Sequence, residues 1–206
     1  MRSSLPTLAV CSALAMTSGA ALSAVIAGVE VIPFKAGISH VRLDGKPYTL
    51  VSAWRDNGNA HGYNVVNVYA NGTTKETESR LAAVPVFIPD PKSGKPGREE
   101  LGLTTSGGAD CTLHTFRLFH AKGTKGTQLV IADRDFGHSF ADTAPVHFSF
   151  YRLASHEDDG IGPPQSFDFD HASDAAASYC DVDEALEKEL GLPAVEGASL
   201  PWAGGP

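Results

Sequence analysis

Residue types able to do chemistry are present in this chain, but the spacings that would make them act together are mostly missing. Gly137-His138-Ser139-Phe140-Ala141 loosely resembles a nucleophile elbow. That motif needs a sharp strand-to-helix turn, because the helix N-terminus and nearby amides hold the oxyanion. Here an apolar strand pattern follows instead, so Ser139 reads as a loop serine. Ser-x-x-Lys, the acylating pair of serine β-lactamases, does not occur, and the Lys-Gly-Thr triplets at Lys122 and Lys125 are scrambled relative to Lys-Thr-Gly. The eight histidines are dispersed, with no His-x-His and no His-Glu-x-x-His. His114 and His120 could share a strand face, but at about 3.3 Å per residue they stand roughly 20 Å apart, too far for one metal. Asp168 and Asp170 alternate and could share a calcium ion, yet the loop pattern of a calcium site is lacking. Ser106-Gly107-Gly108 lacks the downstream Lys-Ser/Thr of a phosphate loop. No metal or cofactor is expected. Paired carboxylates for glycoside hydrolysis depend on spatial separation and stay open.

The strongest polar-aromatic cluster is Trp54-Arg55-Asp56-Asn57-Gly58-Asn59-Ala60-His61, running from the end of an apolar strand into a turn. Trp54 and Arg55 offer stacking and bidentate carboxylate recognition. The plainer reading has Trp54 filling the core and Arg55 pairing with an acid. A second segment, Asp133–Pro145, is long for a hairpin connection and carries Arg134 and Phe136. Long loops held on a rigid sheet often carry function. Candidate ligand-binding residues are therefore Trp54, Arg55, His61, Arg134 and Phe136, with no catalytic set.

These residues need a scaffold, and the hydrophobic pattern from Val29 to Leu153 is mostly β. Expected strands are 29–34, 38–43, 48–54, 63–70, 83–88, 111–120, 128–132 and 146–153. Val146, Phe148 and Phe150 share one face. Leu113 and Leu118 differ in parity, so the 111–120 strand carries a bulge or is buried on both faces. Turn clusters such as Asp44-Gly45-Lys46-Pro47 separate the runs. The pattern predicts an antiparallel β-sandwich or barrel-like domain over 25–192. One helix follows, with Asp181 as N-cap, Val182, Ala185, Leu186 and Leu190 on one face, and Gly191 and Pro193 as stops. Residues 193–206 read as a loose tail, and Asp90–Glu100 as an exposed polar loop.

Residues 1–24 have the layout of a secretory signal peptide: Arg2, an apolar run from Leu5 to Met16, then Ala20, Ala21 and Ala24. The apolar run is too short for a membrane span. Removing this segment takes Cys11 away and leaves Cys111 and Cys180. Two cysteines in an oxidising compartment are expected to form one disulfide, two separate buried thiols being the alternative. The net charge of -8 argues against nucleic-acid binding. Residues 156–206 hold 12 acidic side chains and one basic one, Lys188, and read as a solvated acidic surface.

Several stretches together resemble the carbapenem self-resistance proteins of the CarG type: Ser52–His61, Ser106–Leu118, Leu129–Asp142, Val146–Tyr151 and Tyr179–Leu186. The resemblance implies a mostly β periplasmic protein that protects against a carbapenem or other β-lactam without hydrolysing it, by sequestering the drug or shielding its targets. Both cysteines fall inside resembling segments, as a shared disulfide would require. No catalytic residue is carried over. Alternative readings are an envelope interaction module, as a homodimer or with another protein, and an unrecognised hydrolase.

Overall fold

The computed structural model describes residues 26, 28–59, 61–72, 80–90, 92, 96–108, 110–156 and 162–200. The expected signal peptide and the last six residues lie outside them. Among the described residues, the strands are β1 (Val29–Val31), β2 (Gly37–Leu43), β3 (Lys46–Arg55), β4 (Tyr63–Asn71), β5 (Leu81–Ala83), β6 (Val86–Pro89), β7 (Pro96–Glu100), β8 (Gly102–Gly107), β9 (Thr112–Ala121), β10 (Gln128–Arg134), β11 (Val146–Ser155) and β12 (Gln165–Asp174). They form one large sheet in the order β2-β3-β4-β8-β9-β10-β11-β12-β6-β7. Every pairing is antiparallel except β12 with β6.

Two strands carry two neighbours on one edge. Tyr63–Asn67 of β4 pairs with β8, and Tyr69–Asn71 pairs with β5. The segment 81–89 then leaves β4 and reaches β12: Val84 N–H donates to Val68 O, and Phe167 N–H to Pro85 O. The pairing thus returns toward its middle through this segment, while the sheet as a whole stays open, with β2 and β7 at its edges among the described residues. β9 likewise gives its start to β8 and its end, from Phe119 to Ala121, to β1.

β9 is buried on both faces and the β8–β9 pairing carries a bulge, as the parity of Leu113 and Leu118 required. Phe116 and Leu118 enter the main core with Leu50, Val66, Leu129 and Tyr151. On the other face, Phe119, Val130, Ala132, Val146, Phe148 and Phe150 meet the helix. That helix, α1 (Val182–Leu190), buries Val182, Ala185, Leu186 and Leu190, and Gly191 ends it at φ 73°. Asp181 both caps it, accepting from Asp183 N–H at 2.7 Å, and accepts from Thr112 N–H at 3.1 Å. The neighbouring Cys111–Cys180 disulfide, with Cα atoms 5.7 Å apart, pins the same junction.

The expected strands recur, with 83–88 split between β5 and β6. Three further strands lie where no strand was expected. β7 occupies part of the segment read as an exposed loop, β8 is a Thr-rich run between glycines, and β12 is acidic with few apolar residues. The reading of 193–206 as a tail is corrected for 193–200, which pack into the core. Val195 and Ala198 are buried there, and Gly197 N–H donates to Phe34 O at 3.0 Å. Gly197 is needed at that contact, because a Cβ would lie 2.3 Å from the Phe34 ring. Ser52 Oγ donates to Gly197 O at 2.7 Å, and Asn64 Nδ2 donates to Ser199 O. A proline, a glycine and isolated apolar residues give this segment no period, so its burial left no sequence pattern.

Arg117 of β9 is 0% exposed. It pairs with Asp183 of α1, and its Nε donates to Pro193 O at 2.8 Å. Burial pushes the Asp183 carboxyl above its ordinary value, more than Arg117 pulls it down. A pair in that balance adds little net stability, yet breaking it strands a buried charge. Arg117→Met is expected to cost about 3 kcal/mol in urea unfolding. Arg117→Met with Asp183→Leu should recover most of that loss, and strict additivity of the two changes would refute this account.

Candidate functional site

The β3–β4 connection (56–62), the β8–β9 connection (108–111) and the β10–β11 connection (135–145) all emerge at one end of the sheet. Arg134 ends β10 and shapes the longest of them. It is 6% exposed, and its guanidinium donates to the carbonyls of Asp135, Phe136, Ser139, Phe140, Asp142 and Cys180. It therefore holds the loop from inside and ties it to the disulfide. The expectation that Arg134 binds a ligand carboxylate is corrected: its donors are engaged with the backbone. Its parity was the signal, since Arg134 falls on the face of Val130 and Ala132, the side covered by α1.

With the loop held in this way, Phe140 and Phe136 turn toward the β3–β4 connection. Phe136 meets Phe140 edge-on, centroids 4.9 Å apart, and Phe140 meets the His61 ring at 5.1 Å. Phe136 is 55% exposed. Phe140 was not among the expected site residues, yet it joins His61 to Phe136. Trp54 is half-buried and lies over Gly62, where a Cβ would stand 2.1 Å from the indole, so the strand can start there only as glycine. Arg55 is exposed and sits 5.5 Å from the centroid of the Tyr63 ring. It stacks on an aromatic ring, and among the described residues it has no acid partner of the kind the plainer reading expected. Asn57 Nδ2 donates to His61 O at 2.5 Å and closes the loop. Trp54, Arg55, His61 and Phe136 thus fall at the same end of the sheet, and His61 and Phe136 are linked through Phe140.

Beside this aromatic group runs a cross-strand row of alternating acids and histidines. The register places His114, Asp133, His147 and Asp174 opposite one another on β9 to β12. His114 Nδ1 lies 2.5 Å from Asp133 Oδ1, and His147 Nδ1 lies 2.6 Å from Asp174 Oδ1. Asp135 approaches the other nitrogen of His147 at 3.3 Å. The hydrogen bond to Asp174 raises the His147 pKa, partly opposed by burial and helped by the Asp135 charge. Among the described residues, no group of three or more His, Cys, Asp or Glu side chains is placed to hold a metal ion. Asp168 is engaged by His156 and Ser166, and Asp170 by Arg152 and His171, so the two aspartates considered for calcium each have other partners.

Two serines bear on hydrolysis. Ser139 Oγ accepts from Ala141 N–H at 3.3 Å, and no histidine bonds to it among the described residues. Ser166 is fully buried, and the same nitrogen of His156 meets both Ser166 Oγ and Asp168. A catalytic serine needs its base oriented by the acid through the opposite ring nitrogen.

No protein-family model matches the chain, and no curated protein matches it in sequence. Among solved structures, the crystal structure of CarG is similar to it. The TM-score is 0.59 at 22% sequence identity, over 77% of this chain and 94% of that one. The fold is CarG-like. At this identity the likeness speaks for the architecture. No helix among the described residues is long and apolar enough to cross a membrane.

A folded-state pKa above the unfolded value of about 6.5 adds stability below that pH and loses it as pH rises through the raised value. His147→Gln is therefore expected to lower the melting temperature more at pH 5.5 than at pH 8.5. An equal drop at both would show that the Asp174 hydrogen bond does not depend on His147 being charged.

Proposed function

We propose that this chain is an exported, non-enzymatic protein of the CarG type that protects a cell against carbapenems, and that it does so by binding the drug. The observation that carries this reading is the grouping of Trp54 and Arg55, at the end of β3, with His61, Phe136 and Phe140 on the two loops at the same end of a CarG-like sheet. A carbapenem offers one carboxylate and a compact bicyclic body. Arg55, exposed and steadied on Tyr63, supplies the cation for the carboxylate. Phe136 and Trp54 supply apolar surface, with His61 between the loops. The Ser139 hydroxyl, engaged with the Ala141 amide, favours binding over turnover at that loop. The resemblance and the apolar stretch in residues 1–24 support a periplasmic location.

A second reading has its own observation. Among the described residues β2 is an edge strand, its Ile38 is 69% exposed, and a groove of about 570 Å³ runs beside it between Phe34, Val41 and Val195. Free edges invite strand pairing with a partner or a second copy. An envelope interaction module would use this side and leave the loops idle.

The deciding experiment follows carbapenem absorbance in the presence of the oxidised protein, alongside a thermal melt. Stable absorbance with a raised melting temperature is expected, since a ligand of the native state stabilises by mass action. Phe136→Ala should weaken binding about fivefold, because the lost contact is aromatic and worth about 1 kcal/mol. Its own melting temperature should barely change. Multiple-turnover loss of absorbance would overturn the non-enzymatic reading. A melt unmoved by drug would favour the interaction module.

A further inference from the structure

Two cavities, of about 570 and 280 Å³, lie side by side along β2 and share Val31, Pro33, His40 and Val41. The backbone beside them has unused hydrogen-bonding groups. Asp44 and Gly45, at φ 50° and 76°, close the β2–β3 hairpin as a two-residue turn between Leu43 and Lys46. In such a hairpin the flanking pair exchanges both hydrogen bonds, and bonded and non-bonded pairs then alternate. Pro47, which has no N–H to give, stands opposite Arg42, as a non-bonded position requires. The N–H and C=O groups of Ile38, His40 and Arg42 therefore point away from β3. No hydrogen bond reaches them among the described residues.

The side chains of β2 sort by face. Val41 packs against the main core, while Ile38, His40 and Arg42 are exposed. The segment from Pro33 to Leu43 carries Lys35, His40 and Arg42 and no acid, in a chain of net charge -8. Arg42 reaches the Gly45 carbonyl at 2.7 Å, and neither it nor Lys35 has an acid partner among the described residues. The acids in the lining, Glu30 and Glu196, belong to β1 and the terminal segment.

We propose that β2 is extended by a strand from another protein, an antiparallel segment that alternates acidic and apolar residues. Main-chain bonds to His40 and Arg42 hold it, as in strand addition generally. Residues opposite one another on antiparallel strands share a face. Side chains opposite His40 and Arg42 thus emerge on the solvent side, where carboxylates meet these cations, with Lys35 lining the same groove. The residue between them falls opposite Val41 and turns inward, toward Val31 and Val195. A second copy of β2 would bring like charges together, since β2 offers no acid. The proposal rests on the interaction-module reading and shares no residue with the aromatic loops.

The test adds the capped peptides acetyl-Val-Glu-Val-Glu-Val-amide and acetyl-Val-Lys-Val-Lys-Val-amide to the oxidised protein. Amide hydrogen exchange at Ile38, His40 and Arg42 is followed by NMR. The glutamate peptide should half-saturate at about 1 mM, the affinity expected for so short a ligand. At saturation it should slow exchange at His40 and Arg42 about tenfold. The lysine peptide should bind about tenfold more weakly or worse. N-methylation of both glutamates removes the donors that face β2 and should abolish protection. Lys35→Gln and Arg42→Gln, both at the surface, should each weaken the glutamate peptide about threefold and leave the melting temperature unchanged. Equal protection by both peptides would keep an interaction module at β2 and overturn the acidic strand. Protection that needs no peptide and grows with protein concentration would overturn it in favour of a second copy. Glutamate-peptide binding untouched by both substitutions, or by N-methylation, would also overturn it. No protection by either peptide would remove the proposal together with the module reading at this edge.

Discussion

A guanidinium with no access to water must find every partner inside the protein, and that demand at Arg117 organises much of this domain. Arg117 sits in the strand that the rest of the sheet is built around, since β9 pairs with β8, β10 and β1. Its partners come from three directions: its own strand, Asp183 on α1, and the Pro193 carbonyl at the start of the terminal segment. The helix is thereby fixed over the β9–β11 face, and the terminal segment is aimed toward the main core. Asp181 and the disulfide fix the same helix from its other end. Burying charge is expensive, and what it supplies here is a unique placement for segments that hydrophobic packing alone would leave free to slide.

Arg134 repeats the device one strand over. Where Arg117 holds a helix and the terminal segment, Arg134 collects the carbonyls of a loop with no regular hydrogen bonding of its own. Backbone acceptors that a strand or helix would satisfy internally are satisfied by one side chain instead. The two arginines face the helix side, and the aromatic residues that can meet a ligand are those the loop then displays. The rigidity of the candidate site therefore comes from beneath it, through a residue that does not touch the ligand.

The legible part of the fold was the part with a period. The β-branched alternation of Tyr63–Ala70, the face of Val146, Phe148 and Phe150, and the Asp181-to-Gly191 helix with its caps all stand where their patterns put them. The strands that escaped notice lack such patterns for identifiable reasons. β12 carries Asp168, Asp170 and Asp174 on a strand whose apolar content is little more than two phenylalanines. β7 is an edge strand, and edges tolerate charge. The site was legible as residue types on two loops. Phe140, which connects them, and the depth of Arg134 follow from three-dimensional packing, although the parity of Arg134 with Ala132 already pointed inward. The cross-strand row from His114 to Asp174 depends on register between strands, one of which was not recognised at all.

The burial of residues 193–200 against Phe34, Ser52 and Asn64 sets an order of events during synthesis. A nascent chain still attached near residue 190 has made all of its strands but lacks the piece that fills the space beside β3 and β4. Contacts between such distant parts of a chain are slow to form and leave apolar surface uncovered until they do. Closure of the core therefore waits until residues 193–200 have been made. Until then the space beside β3 and β4 is uncovered, and exposed apolar surface of that kind is what chaperones recognise.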